Sequence, residues 1–99
     1  MSEDHQMAVL VRKIITSNWL DVSQIRIRVT RGVISLQGRI EKIGGNPDEK
    51  EGTEAGMRKL DDELRSLKGF RGVAYFFDNW IRESNGSWRC ISHKKEDKH

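Results

Sequence analysis

Asp61, Asp62 and Glu63 are consecutive carboxylates, the side chains that perform general acid–base work when two of them converge on one atom. On a helix, neighbouring residues diverge by about 100°, so these three cannot converge. Asp61–Arg65 and Glu54–Arg58 instead have the i,i+4 spacing of modest surface ion pairs. Cys90 and His93 form a single pair of metal-type ligands, with His5 and His99 close to the ends of the chain. Zinc needs three or four converging ligands. Cys90 has no evident positioned base, and neither a Gly-x-Ser-x-Gly elbow nor a phosphate-cradling loop is present. An enzyme, a metal and a cofactor are therefore not expected. What remains is a set of cations interleaved with aromatics: Arg26, Arg28, Arg39, Arg82 and Arg89 with Phe76 and Trp80. That combination suits phosphate-bearing or acidic partners.

The elements that carry these residues follow from hydrophobic period. Met7, Leu10, Val11 and Ile14 have helical spacing over residues 5–18, with Ser2 as a cap and Glu3 and Asp4 in the first turn. Ile25, Ile27 and Val29 then alternate with Arg26, Arg28 and Thr30, which predicts a half-buried strand. Arg31-Gly32 turns the chain into a second strand, Val33 to Ile40, with Ile34, Leu36 and Ile40 on the core face. A polar loop with Gly44, Gly45, Asn46 and Pro47 follows, with Asn46 a possible cap for a start at Pro47. A start near Thr53 is preferred, giving a helix with the stripe Met57, Leu60, Leu64 and Leu67, closed by Gly69.

Residues 72–83 are rich in aromatics and read as a strand. Asn85-Gly86 suits a two-residue type I′ hairpin, which sets Ile81 against Cys90 and Arg82 against Arg89. Parity then places Phe76 and Trp80 outward, beside Arg82 and Arg89, on the face that holds Arg26, Arg28 and Arg39. The expected fold is α+β, ordered αββαβ(β): two helices on one face of a three- or four-stranded mixed sheet. One domain spans residues 1–91, and 92–99 form a flexible charged tail. The expected core is Leu10, Ile14, Ile25, Ile27, Val29, Ile34, Leu36, Leu60, Leu64, Leu67, Val73 and Phe77, with the strand order open.

The hairpin Ile25–Val29, Arg31-Gly32, Val33-Ile34-Ser35-Leu36-Gln37-Gly38 resembles that of the BON domain, named for bacterial osmotic-shock and nodulation proteins. Leu64, Leu67, Gly69, Phe70, Val73, Tyr75 and Phe77 look like that family's second helix and following strand. The resemblance covers about residues 7–79 and implies a non-catalytic module that engages membrane phospholipid or a protein. The loop 41–52 is longer than the family's, and the aromatic hairpin lies outside its pattern. A rival likeness is Lys68-Gly69-Phe70-Arg71-Gly72-Val73-Ala74-Tyr75, which is similar to the stacking strand of an RNA-recognition motif. It departs at Arg71 and at Gly72, where a stacking ring belongs.

Charge agrees with a basic strand side. The net +3 of the whole chain conceals +4 over residues 23–42 and −3 over residues 43–67. The expected partner is anionic lipid or a protein. Single-stranded nucleic acid and self-assembly through the last strand are the alternatives. No apolar run is long enough to span a membrane. No export signal precedes Met7–Val11, so a cytoplasmic location is expected, whereas the BON likeness implies a periplasmic one for a processed chain.

Overall fold

Glu3 and Asp4 put negative charge on the first turn of α1 (Glu3–Ser17), where it complements the helix dipole. The computed structural model describes residues 3–45 and 47–91. Ser2, Asn46 and the tail 92–99, for which caps and flexibility were expected, lie outside the described residues. The buried side of α1 is Met7, Val11 and Ile15. Leu10, expected in the core, is 44% exposed, and Ile14 is only partly buried. Both stripes have helical spacing. Packing of α1 over the first strand and the second helix chooses between them.

After a short 3-10 turn (Val22–Gln24) come β1 (Ile25–Thr30) and β2 (Val33–Gly38), paired antiparallel. Arg31 and Gly32 have φ of 52° and 82°, the paired positive values that a two-residue type I′ turn demands. Arg31 is an unusual occupant of the left-handed region, where Gly or Asn is the norm. The Asp4 carboxylate holds the turn by accepting the N–H of Arg31 at 2.9 Å and that of Gly32 at 3.2 Å. Side chains cannot replace Gly32, because a Cβ there would stand 2.6 Å from the Gly69 carbonyl oxygen.

A 3-10 turn (Pro47–Glu49) leads to α2 (Glu54–Arg65), capped by Thr53, whose hydroxyl accepts the N–H of Gly56 at 3.1 Å. β3 (Gly72–Phe77) then returns parallel to β2, giving a mixed three-stranded sheet in the order β1-β2-β3. Ile25, Ile34, Leu36 and Phe77 from one sheet face meet Val11, Ile15, Met57, Leu60 and Leu64 from the helices in one buried cluster. The fold is α+β, as expected.

The aromatic segment is not one strand. It breaks at Asp78-Asn79 because the fully buried Asn79 side chain does the work of a backbone. Its Oδ1 accepts the Ile40 N–H at 3.0 Å, and its Nδ2 donates to the Ile40 carbonyl at 2.9 Å. β4 (Trp80–Arg82) and β5 (Trp88–Cys90) form a separate two-stranded sheet that touches α2. The expected hairpin register is corrected by one residue: Trp80 pairs with Cys90, Ile81 with Arg89 and Arg82 with Trp88. Glu83 N–H bonds to the Ser87 carbonyl at 2.8 Å, so three residues rather than two form the loop. Gly86, with φ of 92°, supplies the left-handed position that such a loop requires. A one-residue shift exchanges the faces of a strand. Trp80 and Trp88 therefore go inward and Ile81 and Arg89 outward, while Cys90, at the end of β5 on the face of the two tryptophans, is still exposed.

Candidate functional site

Directly opposed residues on neighbouring strands share a face, and neighbouring strands lie about 4.8 Å apart. The sheet face away from the helices thus carries three rows: Arg26, Gln37 and Phe76; Arg28, Ser35 and Ala74; Thr30, Val33 and Gly72. Ser35 and Ala74, the middle row's small residues, are half-buried. Arg26, Arg28, Thr30, Val33, Gln37 and Phe76 are all exposed, Phe76 by 60%. The two arginines line one side of the face and the phenyl ring the other. Among the described residues no carboxylate pairs with Arg26 or Arg28.

The other four expected site residues are elsewhere. Arg39 lies past the end of β2, where its guanidinium bonds Glu41 at 3.0 Å and Glu51 at 2.9 Å. Trp80, expected outward, is 5% exposed; its indole N–H donates to the Glu51 carbonyl at 2.8 Å, and its ring packs edge-on to Trp88. Arg82 turns under the hairpin to within 3.5 Å of Asp61. Arg89 is exposed but bonds Glu83 at 2.7 Å. The hairpin register and the end of β2 decide all four positions, and strand parity cannot supply either. Gln37 and Ser35 alternate with the core residues Leu36 and Ile34 and so share the outward parity; Val33 joins them because the tight turn makes it the partner of Thr30.

A cluster that mimics an active site sits on the opposite side of the sheet. Tyr75 donates its hydroxyl to Asp61 at 2.6 Å, and Arg65 donates to the other oxygen of Asp61 at 2.9 Å. Asp61 and Arg65 pair as expected, but Asp61 is buried rather than at the surface. Burial, with the Asp61 carboxylate next in importance, pushes the Tyr75 hydroxyl far above its ordinary pKa. Tyr75 remains a neutral donor to a saturated carboxylate, which is a structural arrangement.

Cys90 has an exposed side chain, yet partial burial of its sulfur and the adjacent Glu51 carboxylate raise the thiol's pKa, which makes it a poor nucleophile. Phe70, in the segment similar to an RNA-recognition motif, is half-buried beneath the Arg65 guanidinium, which lies 5.7 Å from its ring centre. Neither Phe70 nor Tyr75 faces outward as a stacking platform.

A concavity of about 670 Å³ lies between the start of α1 and the turns at Gly32 and Gly69. Its walls mix Glu3 and Asp4 with Arg31, Lys68 and Arg71, and Asp4 already occupies the N–H groups of the turn. The sheet face, shallow as it is, presents two cations without a carboxylate partner among the described residues beside an exposed ring. Among the described residues no helix is long and apolar enough to cross a membrane, and no group of metal-type ligands converges. No family model matches the chain, and neither a curated protein nor a solved structure matches it.

Proposed function

We propose that this chain is a non-catalytic binding module, BON-like in its order of elements, that engages an acidic protein partner across the outer face of its sheet. The observation that carries this reading is the grouping of Arg26 and Arg28 with Phe76 and Val33 on one open face. Arg39, Arg58, Arg65, Arg82 and Arg89 all bond carboxylates of the chain. Among the described residues Arg26 and Arg28 have no such partner and stand together on the open face, whereas Arg12, Arg31 and Arg71, also without one, lie off it. Arginine and aromatic side chains are also those that anchor protein interfaces.

An anionic membrane is a weaker fit. Peripheral attachment of that kind uses clusters of about 4–8 cations, each worth about 1 kcal/mol near the surface. The face carries two arginines. Single-stranded RNA is likewise offered a single ring on which to stack.

A shift-perturbation titration of the isotope-labelled chain tests the reading, with acidic peptides, phosphatidylglycerol vesicles and oligouridylate compared at equal salt. Acidic peptides are expected to move the amides of Arg26, Arg28, Gln37 and Phe76, and to lose this effect in the R26A/R28A variant. The reading fails if peptides leave this face unmoved, or if vesicles or RNA occupy it while peptides do not.

A further inference from the structure

Among the described residues, the outer edge of β1 carries backbone groups without partners, beside the same arginines. The Arg39 N–H bonds the Gln24 carbonyl, directly opposite in the register, at 3.1 Å. Antiparallel pairs alternate between bonded and non-bonded, so Arg26, Arg28 and Thr30 turn their backbones toward β2. Ile25, Ile27 and Val29 then turn theirs outward. The Ile25 N–H is taken by the Val22 carbonyl. Among the described residues nothing bonds the N–H or C=O of Ile27 or of Val29. β1 has neither proline nor a bulge in its six-residue pairing, and it ends the sheet. Exposed edges of this kind accept a further strand.

Charge disfavours a second copy in the two registers that pair most of the strand. A second copy pairing antiparallel about Ile27 would set Arg26 against the second copy's Arg28, and pairing about Arg28 would set that residue against its own image. Like charges directly opposed are destabilising. An incoming strand with acidic residues at these positions would place each carboxylate about 5 Å, Cβ to Cβ, from an arginine. We infer that the β1 edge binds an extended acidic segment of a partner protein as a fourth strand, with acidic side chains alternating along the open face. This inference rests on the acidic-partner reading above and specifies how that partner docks.

The test uses the full chain and a short synthetic peptide alternating Glu and Val. Controls are the Lys/Val peptide and a Glu/Val peptide N-methylated at alternate amides. With peptide at ten times its dissociation constant, amide exchange at Ile27 and Val29 should slow about tenfold, as linkage requires for groups exposed only in the free state. N-methylation on the bonding edge should abolish the protection, and the R26E/R28E variant should prefer the Lys/Val peptide. That variant changes exposed side chains only, and its dispersed amide spectrum checks its fold. Shifts at Phe76 and Gln37 without protection of Ile27 and Val29 would overturn strand addition while leaving the face reading intact. Silence at both the edge and the face would overturn both. Protection equal for the Glu and Lys peptides would overturn the acidic requirement, and a dimer by sedimentation without peptide would assign the edge to a second copy.

Discussion

Asn79 illustrates how one side chain can decide the local chain path. It satisfies both the N–H and the carbonyl of Ile40 from a fully buried position. In Asn79→Ala those two groups lose their partner, at about 1–3 kcal/mol for each buried group left unsatisfied. A fall of that size in unfolding free energy, read from the denaturant midpoint at unchanged m, is the expected result. The two buried tryptophans offer a comparison. The Trp80 indole N–H donates to the Glu51 carbonyl, whereas that of Trp88 is buried with no bonding partner among the described residues. Trp80→Phe should therefore cost more stability than Trp88→Phe, by about 1 kcal/mol, in paired melts. Equal losses would show that volume, not hydrogen bonding, governs both sites. Cys90 should react with a maleimide more slowly than a model thiol at neutral pH, and Glu51→Gln should accelerate it by removing the adjacent charge.

Between elements, a polar clamp ties the end of α1 to α2. Asn18 Nδ2 donates both to the Ile14 carbonyl and to Glu63, each at 2.8 Å, and Lys59 closes the group with a 3.1 Å bond to Glu63. The Asn18 bond, opposed in part by desolvation and aided by Lys59, holds the Glu63 carboxyl below its ordinary value of 4.5. A depressed folded pKa contributes stability that is present above 4.5 and lost as the pH falls through the folded value. Glu63→Gln should remove that part of the acid sensitivity, so that its melting temperature and the wild type's converge below that point. Parallel curves across the whole acid range would refute the clamp. The β4–β5 hairpin follows the same logic of local geometry. Asn85 forecast the turn, and its side chain accepts the Ser87 N–H at 3.0 Å. The loop nevertheless takes one residue more than a type I′ turn, and that residue reverses which faces are wet.

For the whole molecule, the two arginines of β1 bear on its state of association. They lie on an edge strand that would otherwise pair with its own kind, and opposed like charge discourages that pairing. Replacing both with threonine keeps a β-forming residue and removes the repulsion. The R26T/R28T variant is expected to self-associate in sedimentation velocity at concentrations where the parent is monomeric. A parent that is already dimeric, or a variant that stays monomeric, would rule out this role for the charges.

Much of this architecture was legible in the chain itself. Period-two alternation from Ile25 to Ile40, the helical stripe Met57-Leu60-Leu64 and the Thr53 cap are local patterns, each encoded within a few residues, and they specify αββαβ and the outward parity of Arg26, Arg28 and Phe76. The positions of Arg39, Trp80, Arg82 and Arg89 were not legible, because each depends on a partner distant in sequence: Glu51 for Arg39 and Trp80, and Asp61 for Arg82, with the hairpin register behind Arg89. Packing likewise chose Met7, Val11 and Ile15 over the equally periodic stripe through Leu10, since period alone says that a helix has a buried side but not where its neighbours lie. The sequence alone determined the elements and an open basic face. The tertiary structure decided which cations that face keeps, because strand register and ion pairs within the fold take Arg39, Arg82 and Arg89 from it.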